Sequence, residues 1–274
     1  AVFGEARGIE IIPMYFELDG SFPNHEANPL EPANLVDLQA AVLSTGADLG
    51  LAFDGDADRC FVIDELGQPV TPSAVAAMVA KREIVRVRNS GETGPIPVLH
   101  NLLCSRTVAE IIAENGGVPI RTRVGHSLIK DQMKETGAIF GGEHSAHYYF
   151  AEFWGADNGM LAALHVIAEV RARTEALSTI AQEYSRYVES GEINTTVEDQ
   201  ELVIAKILDV FGSRGEQDSL DGLTMSGVAT DGWWWLNVRG SNTEPLLRLN
   251  VEAETSSLMQ SVRDEALALV RATG

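Results

Sequence analysis

The chain has 274 residues, 45% of them hydrophobic and 22% charged, which is enough length and apolar content to bury a core and unlike a disordered or fibrous composition. A formal net charge of −20 speaks against nucleic acid and anionic membrane as partners, since both are held mainly by Lys and Arg neutralising phosphates. An anionic small molecule is still admissible where arginines and backbone N–H groups gather locally.

The first residues that read as an element are Gly8 to Leu18, an extended segment, followed by a loop rich in Pro, Asn and Gly. A helix is expected from Asn34 to Ser44, stopped near Gly46. The buried strand DLGLAF then runs into the acidic loop DGDADR, and the strand CFVID is closed by the turn ELGQ. From Pro72 an alternating series opens: a helix from Ser73, the strand IPVLH, a helix over Ser105–Asn115, the strand VPIRTRV, a helix over Leu128–Glu135, the short strand AIFGG and a long helix after Asp157. Such alternation predicts an α/β layer of mostly parallel strands with its working loops at the strand C-terminal ends. Past residue 191 the order changes to INTTV, a helix over Glu201–Phe211, strands around LTMSGVAT, WWWLNV and LLRLNVEA, and a last helix to Val270, a small α+β domain. The domains are expected at 1–70, 71–190 and 191–274. Trp233, Trp234 and Trp235 lie on a period-two strand and are expected to pack in a core and an interface.

Cys60 and Cys104 show neither metal nor disulfide spacing and read as free thiols. No apolar run approaches the ~18 residues of a membrane span, and AVFGEARGIEII has no leader pattern, so the cytoplasm is the expected location.

The sharpest motif is Asp54-Gly55-Asp56-Ala57-Asp58-Arg59. Carboxylates at alternate positions around a glycine can converge hard oxygen ligands on one divalent cation, and Mg²⁺ is suited by few carboxylates plus a substrate phosphate. A solvated acidic turn and an EF-hand are the competitors, the latter with Asp54, Asp56, Asp58 and Glu65 in its ligand spacing, but Arg59 occupies the glycine position and the flanks read as strands. A second motif, Arg239-Gly240-Ser241-Asn242-Thr243-Glu244-Pro245 with Arg248, gathers hydroxyls, an amide and two arginines between apolar strands; it reads as a phosphate cradle or a polar hairpin. In Gly142-Glu143-His144-Ser145-Ala146-His147 a carboxylate and a hydroxyl two apart in an extended loop face one side, suiting adjacent sugar hydroxyls, and His147 continues the alternation as a proton carrier or phosphate contact. Val124-Gly125-His126-Ser127 with Lys130 could meet an anion at a helix start or be a helix capped by Ser127.

Taken in this order, DGDADR, GGEHSAH and RGSNTEPLLR resemble the metal, sugar and phosphate loops of the α-D-phosphohexomutase family, and the resemblance covers essentially the whole chain. His144 and Asn242 are similar to the phosphomannomutase/phosphoglucomutase group, whereas phosphoglucosamine mutases show Gln and Gly there. The resemblance implies the end of domain two, then domains three and four, of a four-domain enzyme that interconverts hexose 6-phosphate and hexose 1-phosphate through a phosphoserine and a bisphosphate. It implies Asp54, Asp56 and Asp58 as Mg²⁺ ligands with Arg59 near the phosphoserine. Glu143, Ser145 and His147 become sugar ligands with His126 facing the sugar, and Arg239, Ser241, Asn242, Thr243 and Arg248 the clamp on the idle phosphate. Ala146 stands where the family's loop often has a second glycine. The family's nucleophilic serine lies in a Ser-His-Asn-Pro-like loop, which this sequence does not contain. The chain alone is therefore expected to be inactive; a non-catalytic phosphosugar-binding module, a phosphoglucosamine mutase and a calcium-binding structural protein are the alternatives.

Overall fold

The computed structural model describes residues 8–241 and 245–272 and, within them, all side chains except that of His126. A short 3₁₀ turn at Pro32–Leu35 leads into α1 (Val36–Thr45), which ends where Gly46 takes a left-handed φ of 68°. Then β1 (Leu49–Phe53), β2 (Cys60–Asp64) and β3 (Pro69–Val70) form an antiparallel sheet with β2 central and wholly buried. The six residues between β1 and β2 are the acidic loop, so it sits at a hairpin tip.

The next helix, α2 (Pro72–Asn89), begins where Thr71 accepts from Ala74 N and Pro72 supplies a first-turn φ at no hydrogen-bond cost. Its residues Ser73 to Ala80 are all buried. Small side chains there permit close approach: a Cβ on Gly142 would lie 2.7 Å from that of Ala76.

A five-stranded sheet follows, built from β4 (Pro97–Asn101), β5 (Val118–Thr122), β6 (Phe140–Gly142), β7 (Tyr148–Phe150) and β8 (Ala156–Asp157) in the order β5-β4-β6-β7-β8. Between them run α3 (Arg106–Glu114), capped by Ser105, and α4 (His126–Thr136). After the sheet come α5 (Gly159–Arg171), capped by Asn158, and α6 (Leu177–Gln182). The sheet is less parallel than expected: β4, β5 and β6 are parallel, while β7 runs antiparallel to both its neighbours, β6 and β8. The cause is the short turn between β6 and β7, since a parallel return needs a crossover of a dozen or more residues.

The C-terminal part is an antiparallel sheet of β9 (Val188–Glu189), β10 (Ile193–Thr196), β11 (Glu216–Asp218), β12 (Leu223–Ala229), β13 (Gly232–Gly240) and β14 (Leu246–Ala253), covered by α7 (Gln200–Phe211) and α8 (Ser256–Arg271). Two large cores result, one around α2 and one between this sheet and its helices. Trp234 belongs to the second. Trp235 points to the other face and donates to Glu252 Oε2 at 2.6 Å, and Trp233 stacks under the Arg106 guanidinium of α3 at 4.5 Å. The tryptophans thus pack a core and an interface.

The expected strand over Gly8–Leu18 does not form. That stretch pairs with no described strand, Pro13 removes a ladder donor from it, and Tyr15 takes a φ of 53°. It instead lines an apolar cavity of about 690 Å³ with α1, β1 and α5. No helix among the described residues is long and apolar enough to cross a membrane.

Candidate active site

Asp54 leaves β1 and Arg59 enters β2, so the hairpin holds both ends of the acidic loop. Asp54 knots it: Oδ1 accepts from Arg59 N at 3.1 Å, Oδ2 from Arg59 Nε at 2.7 Å, and the Asp54 carbonyl from Ala57 N at 3.2 Å. Ala57 pays for the turn with a φ of 60°. One oxygen from each of Asp54, Asp56 and Asp58 lies within 4.8 Å of the others, a donor set of hard oxygens that fits a divalent cation. Asp58 Oδ1 is buried with no hydrogen-bond donor, as an oxygen meant for a cation would be. Burial raises both the Asp54 and Asp58 carboxyls, but the bonds from Arg59 hold Asp54 below its ordinary value. Asp58 is pushed up to about 6 by burial, by its contact with Asp54 and by repulsion from Asp54, Asp56 and Asp157. The flanks are strands, and Glu65 accepts from Ser178 N at 3.0 Å, which removes it from any EF-hand-like ligand set.

The sugar-type loop is seated against this one. Cys60 N donates to the Ala146 carbonyl at 3.3 Å, and Arg59 and His147 form an antiparallel bridge. Gly159 closes the contact from behind: its N donates to the Ala57 carbonyl at 3.1 Å, and a Cβ there would stand 2.5 Å from the Arg59 carbonyl. The loop is a tight turn, not the extended segment the alternation suggests. Glu143 N donates to the His147 carbonyl at 3.0 Å, and Ala146 carries a φ of 69°. Tightness follows from β6 and β7 being hairpin partners.

Within it Glu143 is buried and receives Tyr149 OH at 2.7 Å, Asn101 Nδ2 at 3.3 Å and Gly125 N at 3.4 Å. Burial and the Glu143 charge keep the Tyr149 phenol protonated and donating. Ser145 Oγ and His147 Nδ1 are hydrogen-bonded at 3.0 Å, and His147 Nε2 lies 3.7 Å from Asp58 Oδ1. Burial, aided by Arg59 and opposed by the surrounding carboxylates, lowers the His147 pKa and favours a neutral imidazole that can accept a proton.

One expectation at the fourth loop is corrected. Gly125, with a φ of 136° closed to most side chains, is the residue preceding α4, so Ser127 is not the cap. Lys130 Nζ is paired with Asp157 Oδ1 at 2.8 Å. The His126 side chain, Asn242 and Thr243 lie outside what is described.

Arg239 and Arg248 face each other across β13 and β14, and both reach Glu192, at 2.8 and 3.4 Å. Among the described residues, two guanidiniums meet one carboxylate, and the Nε of each arginine is buried without an acceptor. Those orphaned donors suit an anion. Ser241 continues from β13, its N donating to the Leu246 carbonyl at 2.8 Å. Glu192 was not among the expected residues. A lone acid before INTTV carries no local pattern; only the pairing of β10 with β14 brings it to the arginines. Tyr149 had a fainter signal, being the next step of the 143, 145, 147 alternation.

Models of the phosphoglucomutase/phosphomannomutase family match three successive stretches: alpha/beta/alpha domain II over residues 2–67, alpha/beta/alpha domain III over 71–187 and the C-terminal domain over 192–269. The chain belongs to this family. Among its relatives, the phosphomannomutase of Methanocaldococcus jannaschii is 37% identical over 252 residues, covering 92% of this chain and 54% of that protein. The phosphomannomutase/phosphoglucomutase of Pseudomonas aeruginosa is 37% identical over 264 residues, covering 94% and 55%. A solved phosphoglucomutase/phosphomannomutase family protein of Burkholderia thailandensis superposes with a TM-score of 0.82 at 30% identity, covering 98% of this chain and 56% of that one. This phosphohexomutase chain thus spans just over half the length of the relatives it matches, and its mixed α/β fold is theirs.

Proposed function

We propose that the chain supplies the metal, sugar and idle-phosphate loops of a phosphomannomutase/phosphoglucomutase-type reaction, interconverting hexose 6-phosphate and hexose 1-phosphate through a phosphoserine and a bisphosphate. The observation that carries this reading is the seating of the acidic loop on the sugar loop through the Arg59 and His147 bridge, together with two arginines whose buried Nε atoms await an anion. In this proposal the three units are 1–70, 71–190 and 191–274. Asp54, Asp56 and Asp58 hold Mg²⁺, which offsets charge on the transferring phosphoryl group.

The rest falls to side chains. Arg59 fixes Asp54 and faces the phosphoryl group, and Glu143 and Ser145 take sugar hydroxyls shared by mannose and glucose. Neutral His147, within reach of Ser145 and Asp58, accepts the proton of the attacking hydroxyl. Arg239, Ser241 and Arg248, with Asn242 and Thr243, clamp the phosphate that is not reacting, whichever end of the sugar carries it.

The sequence holds no Ser-His-Asn-Pro loop, so the 274-residue chain by itself binds but does not turn over. The second reading is a phosphosugar-binding module, which the arginine pair with its buried Nε atoms would also serve. Phosphorus NMR of the chain with Mg²⁺, glucose 1-phosphate and a hexose bisphosphate, alone and fused to the serine-bearing portion of a phosphohexomutase, separates them. Glucose 6-phosphate forming only with the fusion, and not with its Asp58→Asn form, supports the enzyme reading. Turnover by the chain alone contradicts the inactivity of the isolated chain, and a folded fusion that binds sugar phosphate without turnover favours the module.

A further inference from the structure

Three carboxylates of the C-terminal domain reach the α/β layer at the C-terminal ends of its parallel strands. Glu252 Oε2 accepts from Arg106 N at 3.1 Å at the start of α3, Asp218 pairs with Arg121 at the end of β5, and Asp221 Oδ2 accepts from Val124 N at 3.0 Å. The last contact differs from the others in what lies next to it. Gly125, the following residue, donates its N–H to Glu143 Oε1 and opens α4 at His126.

Asp221 is itself fixed to the strand that carries the phosphate-type cradle. Its carbonyl accepts from Asn237 Nδ2 at 3.0 Å, and the same amide donates to Thr224 Oγ1 at 2.9 Å from a fully buried side chain. Asn237 is two residues from Arg239 on β13. Gly222 tightens the joint, because a Cβ there would lie 2.4 Å from the Val238 carbonyl and 2.7 Å from Arg239 Cβ. A continuous path therefore runs from Arg239 through Asn237 and Asp221 to Val124, Gly125 and Glu143.

Resting on the function proposed above, we infer that Asp221 is a positioning residue through which the C-terminal domain sets the Val124–Gly125 backbone, and with it Glu143, for the sugar. It touches no ligand and acts by holding one amide.

The test has two arms on the 274-residue chain. Without ligand, hydrogen exchange at the Val124 and Gly125 amides is expected to quicken at least ~10-fold in Asp221→Ala, while α8 amides keep their protection. Asp221→Asn, which retains a carbonyl acceptor, is expected to stay close to wild type. With ligand, Asp221→Ala is expected to bind glucose 1-phosphate about 10-fold more weakly yet inorganic phosphate unchanged, a split that general destabilisation would not produce. Should Asp221→Ala fail to fold, Asp221→Ser, whose hydroxyl is too short to reach Val124, carries the same expectations. Unchanged exchange in the variant, or an equal loss for both ligands, overturns the inference. If the wild-type chain binds neither ligand, the phosphosugar reading falls and the exchange arm alone decides the role of Asp221.

Discussion

Ala146 shows how a side chain is accommodated where the backbone turns into the left-handed region. Its φ of 69° favours glycine, at a strain of roughly 1–2 kcal/mol for a side-chain residue, but its methyl is fully buried in the α2 core, which returns about 0.8 kcal/mol, and alanine avoids the entropy cost of glycine. The terms nearly cancel, so Ala146→Gly is expected to shift unfolding free energy by less than about 1 kcal/mol in a urea titration. Glu192 presents the opposite situation, a residue whose importance is electrostatic. Its carboxylate is ion-paired with both arginines, so Glu192→Gln is expected to tighten inorganic phosphate binding by about threefold to tenfold, ~1 kcal/mol, in a calorimetric titration. The three aspartates, Glu143 and the arginines were legible because each stands in a short run with its own spacing. Glu192, Asn101 and Asp157 were not, because their roles arise from pairings between strands and loops far apart in sequence.

At the scale of elements, the helices were the most legible. Thr71-Pro72, Ser105 and Asn158 mark starts by capping chemistry, and Gly46 marks a stop. The short strands β7 and β8 were missed because two or three residues carry no period, and Gly8–Leu18 was overread because an apolar run cannot reveal whether a sheet edge receives it. The pairing of β9 with β14 sets Glu189 opposite Glu252, with His144 at 3.7 Å. Burial, then the Glu252 charge, pushes Glu189 up to about 8 from an ordinary 4.5, and Glu252 shifts in the same direction. A raised folded value means the stabilising protonated form is lost as pH climbs toward 8. The lowered pKa of His144 acts oppositely, but only below its ordinary 6.5. Stability is therefore expected to fall between pH 6.5 and 8, and Glu189→Gln to flatten that slope in denaturant midpoints measured across the range. In the same sheet Trp234 fills the core against Phe211, and Trp234→Ala is expected to cost about 3–5 kcal/mol.

Across the whole molecule, the loops that matter are set by different layers. The acidic loop is a hairpin tip of the first sheet, the sugar-type loop a turn of the second, and the arginine pair lies on the third. Separate scaffolds let each loop be rigid, and in the function proposed above they let the ends of a phosphosugar be met from different sides. The net charge of −20 makes the local arginine pair conspicuous, two cations side by side in a chain with 40 Asp and Glu against 20 Lys and Arg. Calorimetric titration of glucose 1-phosphate into the chain with Mg²⁺ present tests this arrangement most directly, using Arg248→Ala and Glu143→Gln as probes of two separate loops. Saturable binding by the wild type, weakened at least ~10-fold in each variant, is the predicted result; binding indifferent to both substitutions, or none at all, would contradict it.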